Sequence, residues 1–176
     1  MVSRLSRRRF MAGSAAAGAA LAAGCAVHNH GNWEFLSDAQ AQTLAALCDE
    51  IIPADDFPSA SQAGVVTYID RQLMRHYRRH RAMYDAGLDE AEHLSQTRCG
   101  AALGQAPLQI RQEIATALTQ QRPDFFNLLR SHTMEAYYGS PRHGGNRDAV
   151  SWRMLGLAEP PVRGRAQYDF SKGAAS

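Results

Sequence analysis

The sequence predicts an all-α fold, one irregular helical domain with a long loop and an extended tail, and three observations carry that prediction. Apolar residues recur at three- and four-residue spacing through most of the chain. Capping residues, prolines and glycines stand where such helices should begin and end. No run alternates apolar and polar residues as a half-buried strand would.

The elements follow in order. Ser37-Asp38-Ala39-Gln40 reads as a capping box, in which the Ser37 hydroxyl and the Gln40 amide satisfy opposite helix-end donors. Leu44, Leu47 and Ile51 continue that helix, with Cys48 on the same side, and Pro53 stops it. The loop to Ser61 carries Asp55, Asp56 and Pro58. The two acids are placed to favour the N-terminus of the next helix. A calcium pair is the sharper alternative, but too few oxygen ligands lie nearby in sequence.

A second helix starts near Ala63, with Val66, Ile69, Leu73 and Tyr77 as its apolar stripe and Arg71, Arg75, Arg78, Arg79 and Arg81 as a basic face, which is either solvated, as a charge run more often is, or meets an acidic partner or anionic lipid heads. Helical pattern resumes through Tyr84, Leu88 and Ala91, as one bent helix or two, until Gly100 and Gly104 break it. Pro107 suits the first turn of a helix carrying Leu108, Ile114 and Leu118. Pro123 opens a heavily apolar helix through Phe125, Phe126, Leu128, Leu129 and His132, which Gly139 ends after Tyr138. Gly139 to Asp148 is loop, and a short helical turn then carries Trp152 and Leu155. Residues 158–176, with Pro160 and Pro161, form an extended tail.

Before the domain lies a leader. Ser6-Arg7-Arg8-Arg9-Phe10-Met11 follows the twin-arginine pattern, with Arg7, Arg8 and Phe10 as its signature residues. The Ala- and Gly-rich run from Met11 to Gly24 is too short and too small-residue to anchor stably in a membrane. Residues 1–25 therefore read as a signal peptide, residues 26–36 as a polar linker with His28, His30 and Trp33, and residues 37–157 as the helical domain. Such a leader sends a folded protein to the periplasm, at the outer face of the inner membrane. Ala22-Ala23-Gly24-Cys25 makes Cys25 a candidate for acylation, although Leu21 stands one position earlier than the usual lipobox leucine; ordinary cleavage nearby is the alternative.

The formal charge of the whole chain is +2. Without residues 1–25, which carry four arginines and no acid, it becomes −2. The basic balance belongs to the leader, so the body shows no global bias toward nucleic acid.

Candidate chemistry is sparse. His76 and His80 have metal-compatible i, i+4 spacing, but the arginines around them disfavour a cation, and a solvated surface explains them better. His132 and Glu135 could imitate an acid–base pair. Amid Phe125, Phe126 and Leu129 they read instead as a buried polar contact that pins the following loop. Cys48 and Cys99 could pair in an oxidising compartment, and Cys48 could equally be an inert core residue. Gly144-Gly145 lacks the lysine and hydroxyl of a phosphate loop. No dinucleotide fingerprint and no C-x-x-C-H haem motif is present, so flavin and haem are not expected on this chain.

Two segments carry a resemblance. One is Ile51-Ile52-Pro53-Ala54-Asp55-Asp56 with Pro58, Ser59, Ala63-Gly64-Val65 and Ile69-Asp70. The other is Glu135, Tyr138-Gly139, Pro141, Gly144-Gly145-Asn146, Trp152 and Gly156. Together they resemble the gluconate 2-dehydrogenase subunit 3 family, the small subunit of membrane-associated flavin dehydrogenases, over nearly the whole chain. Ala136 and His143 depart from its usual glycine and aromatic.

The resemblance implies a non-catalytic subunit. A large partner would hold FAD and oxidise a sugar or sugar acid, and a multihaem cytochrome c would pass electrons onward. The small subunit would help the large one fold and cross the twin-arginine translocase. It also implies a partner interface on Tyr137, Tyr138, Pro141, Gly144, Gly145, Asn146, Trp152 and Tyr168. On the residues alone, the Gly-Gly-Asn loop is either that docking surface or a local turn positioning Trp152. The rival reading is a free-standing periplasmic lipoprotein or a small enzyme with its own site.

Overall fold

Ser37 caps the first helix as its sequence requires: its hydroxyl accepts from the Gln40 amide while the Gln40 side chain accepts from the Ser37 amide. This helix, α1 (Asp38–Ile51), lies at the centre of a computed structural model that describes residues 33–157. The leader residues Arg7, Arg8 and Phe10, the acylation candidate Cys25 and the tail residue Tyr168 lie outside the described residues.

Five further α-helices follow: α2 (Val65–Leu73), α3 (Arg81–Cys99), α4 (Leu108–Gln121), α5 (Pro123–Tyr138) and α6 (Val150–Met154). Short 3-10 turns connect them at Arg78–His80, Leu103–Gln105, Pro141–His143 and Arg147–Ala149, and no strand occurs among the described residues. α1 packs against α2, α3, α4 and α5. Leu44 and Leu47 of α1 meet a core of Ile69, Leu73, Tyr84, Leu88, Ile114, Leu118, Phe125 and Leu129, all buried. Each such side chain contributes about 1.5–3 kcal/mol of transfer free energy, so the stripes read from sequence are what hold the helices together. No described helix is long and apolar enough to cross a membrane.

The basic stretch from Arg71 to Arg81 runs from the end of α2 through a turn and the 3-10 segment Arg78–His80 to the start of α3. Arg81 begins α3 rather than ending a solvated face. Its Nε donates to the Leu73 carbonyl at 2.7 Å, and its guanidinium lies 5.2 Å from the centre of the Phe35 ring. It thereby satisfies a carbonyl at the end of α2 and covers an aromatic face.

The end of the polar linker is fixed to the body. Leu36 is wholly buried, and Trp33 and Phe35 pack on the core. Asp70, only 2% exposed, accepts from the amides of Glu34, Phe35 and Leu36 at 2.7, 2.9 and 2.9 Å. One carboxylate thus anchors three backbone donors in the low-dielectric interior, where such charge-assisted bonds are strongest.

Asp55 and Asp56 do not cap α2. The Asp55 carboxylate accepts from the Phe57 amide at 2.8 Å inside the loop, and the cap position before α2 is held instead by Gly64, whose φ is 84°. Cys48 and Cys99 are not joined. Cys48 is wholly buried with its sulfur 3.4 Å from the Thr133 hydroxyl, whereas Cys99 sits exposed at the end of α3, its sulfur 3.3 Å from the Ser95 carbonyl. One belongs to the core and the other to the surface. Burial pushes the Cys48 thiol up to about 12, which makes it inert.

Candidate functional site

The chain's most distinctive sequence, the loop from Gly139 to Ala149, is built as a lock between α5, α6 and the start of α2. A β-carbon added at Gly145 would lie 2.3 Å from the Ala136 carbonyl oxygen, so only glycine lets the loop lie this close on α5. Asn146 is wholly buried and sits in the left-handed region at φ 44°. Its amide uses both ends: Nδ2 donates to the Gly139 carbonyl at 2.8 Å, and Oδ1 accepts from the Ser151 amide at 2.9 Å. The first bond closes the loop on the end of α5, and the second satisfies an orphan donor in the first turn of α6.

One further bond and one close approach complete the lock. The Arg147 amide donates to the Ala63 carbonyl at 2.8 Å, and the Gly144 carbonyl lies where a β-carbon on Gly64 would be, 2.6 Å away. The two segments that carry the resemblance therefore touch. Trp152 lies across the end of α5, with its indole N–H donating to the Tyr138 carbonyl at 3.0 Å.

A second polar cluster joins α2, α3 and α5. The Glu135 carboxylate accepts from the Tyr68 hydroxyl at 2.7 Å and from the Tyr77 hydroxyl at 2.6 Å. The Tyr77 ring stacks on His132, with centroids 3.6 Å apart and planes 2° from parallel, and His80 meets both rings edge-on. On its far side His132 Nδ1 shares a 2.9 Å hydrogen bond with the buried Tyr84 hydroxyl. Burial, with His80 nearby, pushes His132 down to about 4, so the imidazole is neutral at pH 7. Burial alone would raise the Glu135 carboxyl, but the two phenol donors, with His132 and His76 nearby, outweigh it and hold it below its ordinary range.

His132 and Glu135 are thus a structural contact, but they pin α2 and α3 rather than the loop after α5. Each oxygen of Glu135 accepts from one phenol, and the ring of His132 is covered on one face by Tyr77. His80 is packed into the cluster rather than solvated, while His76 is exposed. No metal-holding group of three or more His, Cys, Asp or Glu occurs among the described residues.

The predicted interface residues separate by burial. Tyr137 is 1% exposed, with its hydroxyl donating to the Pro58 carbonyl at 2.7 Å. With Gly145 and Asn146 it belongs to the interior of this chain, not to a surface a partner could meet. Pro141, Gly144 and Trp152 are half-buried, and Tyr138 is 36% exposed. Sequence reasoning missed Tyr68 and Tyr77 as the partners of Glu135, because nothing local links positions separated by 67 and 58 residues. It also missed the clamp at Asp70, for which an acid on the buried side of α2, next to Ile69, was the available signal.

A family model described as gluconate 2-dehydrogenase subunit 3 matches residues 38–158, which spans all six α-helices and the locked loop. No curated protein and no solved structure matches the chain.

Proposed function

The chain belongs to the gluconate 2-dehydrogenase subunit 3 family, and on that premise we propose that it is the non-catalytic small subunit of a periplasmic, FAD-dependent sugar or sugar-acid dehydrogenase. Membership implies a complex with a dehydrogenase catalytic subunit. In this reading the partner holds FAD, and a multihaem cytochrome c is a third subunit. This chain assists folding of the flavoprotein, stabilises it and accompanies it through the twin-arginine translocase. The observation that carries the reading is the family match across the whole helical body. The internal engagement of Glu135 and His132 supports it, since the chain's best acid–base candidates are spent on holding helices together.

Co-expression of the full chain with its cognate catalytic subunit tests the reading. The expected result is one complex from the periplasmic fraction that contains both chains and FAD, and loss of periplasmic flavoprotein when Arg7 and Arg8 are both changed to lysine. A catalytic subunit that folds, is exported and turns over equally well without this chain would refute it, as would sugar oxidation by this chain alone.

A further inference from the structure

Four of the six large, exposed apolar side chains among the described residues lie on the two segments that meet at the junction of α5 and α6. Met134 and Tyr138, one turn apart on α5, are 42% and 36% exposed; Leu155 and Leu157, just past α6, are 55% and 56% exposed. Trp152, half-buried, ties the two groups together through its bond to the Tyr138 carbonyl, and the Leu157 amide returns to the Trp152 carbonyl at 2.8 Å. Apolar side chains gathered in water at one end of a small domain mark a surface that is covered when the protein works.

The charge beside this patch is more basic than acidic. Arg142, Arg147 and Arg153 are exposed in the loop and on α6, with His143 between them, against Asp148 in the loop and Glu135 beside Met134 on α5. None of the three arginines is in an ion pair among the described residues. Tyrosine, tryptophan, methionine and arginine are residue types enriched in protein interfaces.

From this arrangement we infer that the catalytic subunit docks on the end of the molecule formed by the last turn of α5 and by α6, and that its complementary surface is an apolar patch bordered by carboxylates. The inference rests on the proposed small-subunit role. It moves the interface away from the Gly-Gly-Asn loop, whose glycine and asparagine are interior. The loop is then the device that sets α6 and Trp152 in place, and the side chains around it make the contact.

The test uses the full chain co-expressed with the cognate catalytic subunit, comparing Leu155→Glu with Leu108→Glu. Both leucines are about equally exposed, at 55% and 56%, but Leu108 lies at the start of α4, outside the patch. Circular dichroism and thermal melting of each variant alone establish that it folds. Leu155→Glu should lower recovery of the complex at least about tenfold, the cost of roughly 1.4 kcal/mol of binding, while Leu108→Glu leaves it unchanged. Arg142→Glu with Arg153→Glu should slow association and weaken its dependence on salt.

Equal recovery with both leucine variants, from a wild type that does form the complex, overturns the surface assignment and leaves the small-subunit reading standing. A wild type that forms no complex refutes that reading itself. Vesicles of anionic lipid provide the remaining arm. Wild-type binding abolished by Leu155→Glu, with the complex intact, would assign the patch to a membrane and overturn the inference.

Discussion

Asn146 is the residue on which the geometry around α6 turns, and its substitution separates two contributions that usually act together. Asn146→Ala removes a donor to the half-buried Gly139 carbonyl and an acceptor from the buried Ser151 amide, and leaves both groups without that partner. Each orphaned group costs about 1–3 kcal/mol. Alanine also takes up a φ of 44°, a left-handed conformation that asparagine tolerates and alanine resists by about 1 kcal/mol. The expected loss is therefore about 3–7 kcal/mol. Asn146→Gly loses the same two bonds without the steric penalty, so it should lie about 1 kcal/mol closer to wild type, less the added flexibility of its unfolded chain.

Urea unfolding gives the global loss, and amide exchange at Ser151 shows whether α6 opens locally before the body unfolds. The two readouts distinguish a lock from an ordinary core contact. A variant that melts within about 1 kcal/mol of wild type, with Ser151 still protected, would refute the account of the loop.

The other predictions address the polar clusters and the cysteines. Glu135→Gln should destabilise by about 1–2 kcal/mol, at the low end for charge-assisted bonds because Glu135 is exposed. By unfolding entropy over about 125 residues this lowers the melting temperature by roughly 4–8 °C. A double-mutant cycle with Tyr77→Phe should be non-additive, and strict additivity would mean that the 2.6 Å contact contributes nothing.

The folded-state pKa of Glu135 is depressed, so its contribution is present above its unfolded pKa of about 4.3 and is lost as pH falls through the folded value. His132 acts in the same direction in a higher window. Its folded pKa of about 4 lies below the unfolded value of 6.5, so wild-type stability should fall between pH 6.5 and 4, and His132→Phe should flatten that slope. Asp70→Asn should cost about 2–4 kcal/mol by weakening three bonds, one buried and two half-buried, and limited proteolysis should then cut near Glu34 and Phe35. A thiol reagent should modify Cys99 in the native protein and reach Cys48 only on unfolding.

Local signals in the sequence located the helices because the forces that start and stop them are local. The Ser37 and Gln40 capping box, Pro123 at the head of α5 and Gly100 in the left-handed conformation after α3 act within a few residues, and all appear where the sequence places them. The stripes of α1 and α2 were legible for the same reason: Leu44 and Leu47, like Ile69 and Leu73, repeat at helical spacing toward a core on one side. What stayed hidden was set by partners distant in sequence. Arg81 reads as one more surface cation until the Leu73 carbonyl and the Phe35 ring are known to face it. Glu135 and His132 read as a pair until Tyr68, Tyr77 and Tyr84 arrive from other helices.

The Gly-Gly-Asn loop shows the same limit from the functional side. Unusual residues in a loop suggest contact with a partner, because loops lie on surfaces. Here their reason is internal: a backbone approach that only glycine permits, and a left-handed turn that lets one amide tie α5 to α6. The exposed leucines that carry the docking argument are by contrast ordinary in sequence. Leu155 and Leu157 become notable only when α6 ends and leaves them uncovered. In the proposed docking mode, the specific chemistry of the loop presents a surface that is itself built from generic apolar residues. That division suits the proposed small-subunit role, since a fold that fixes its shape before the partner arrives loses less freedom on binding.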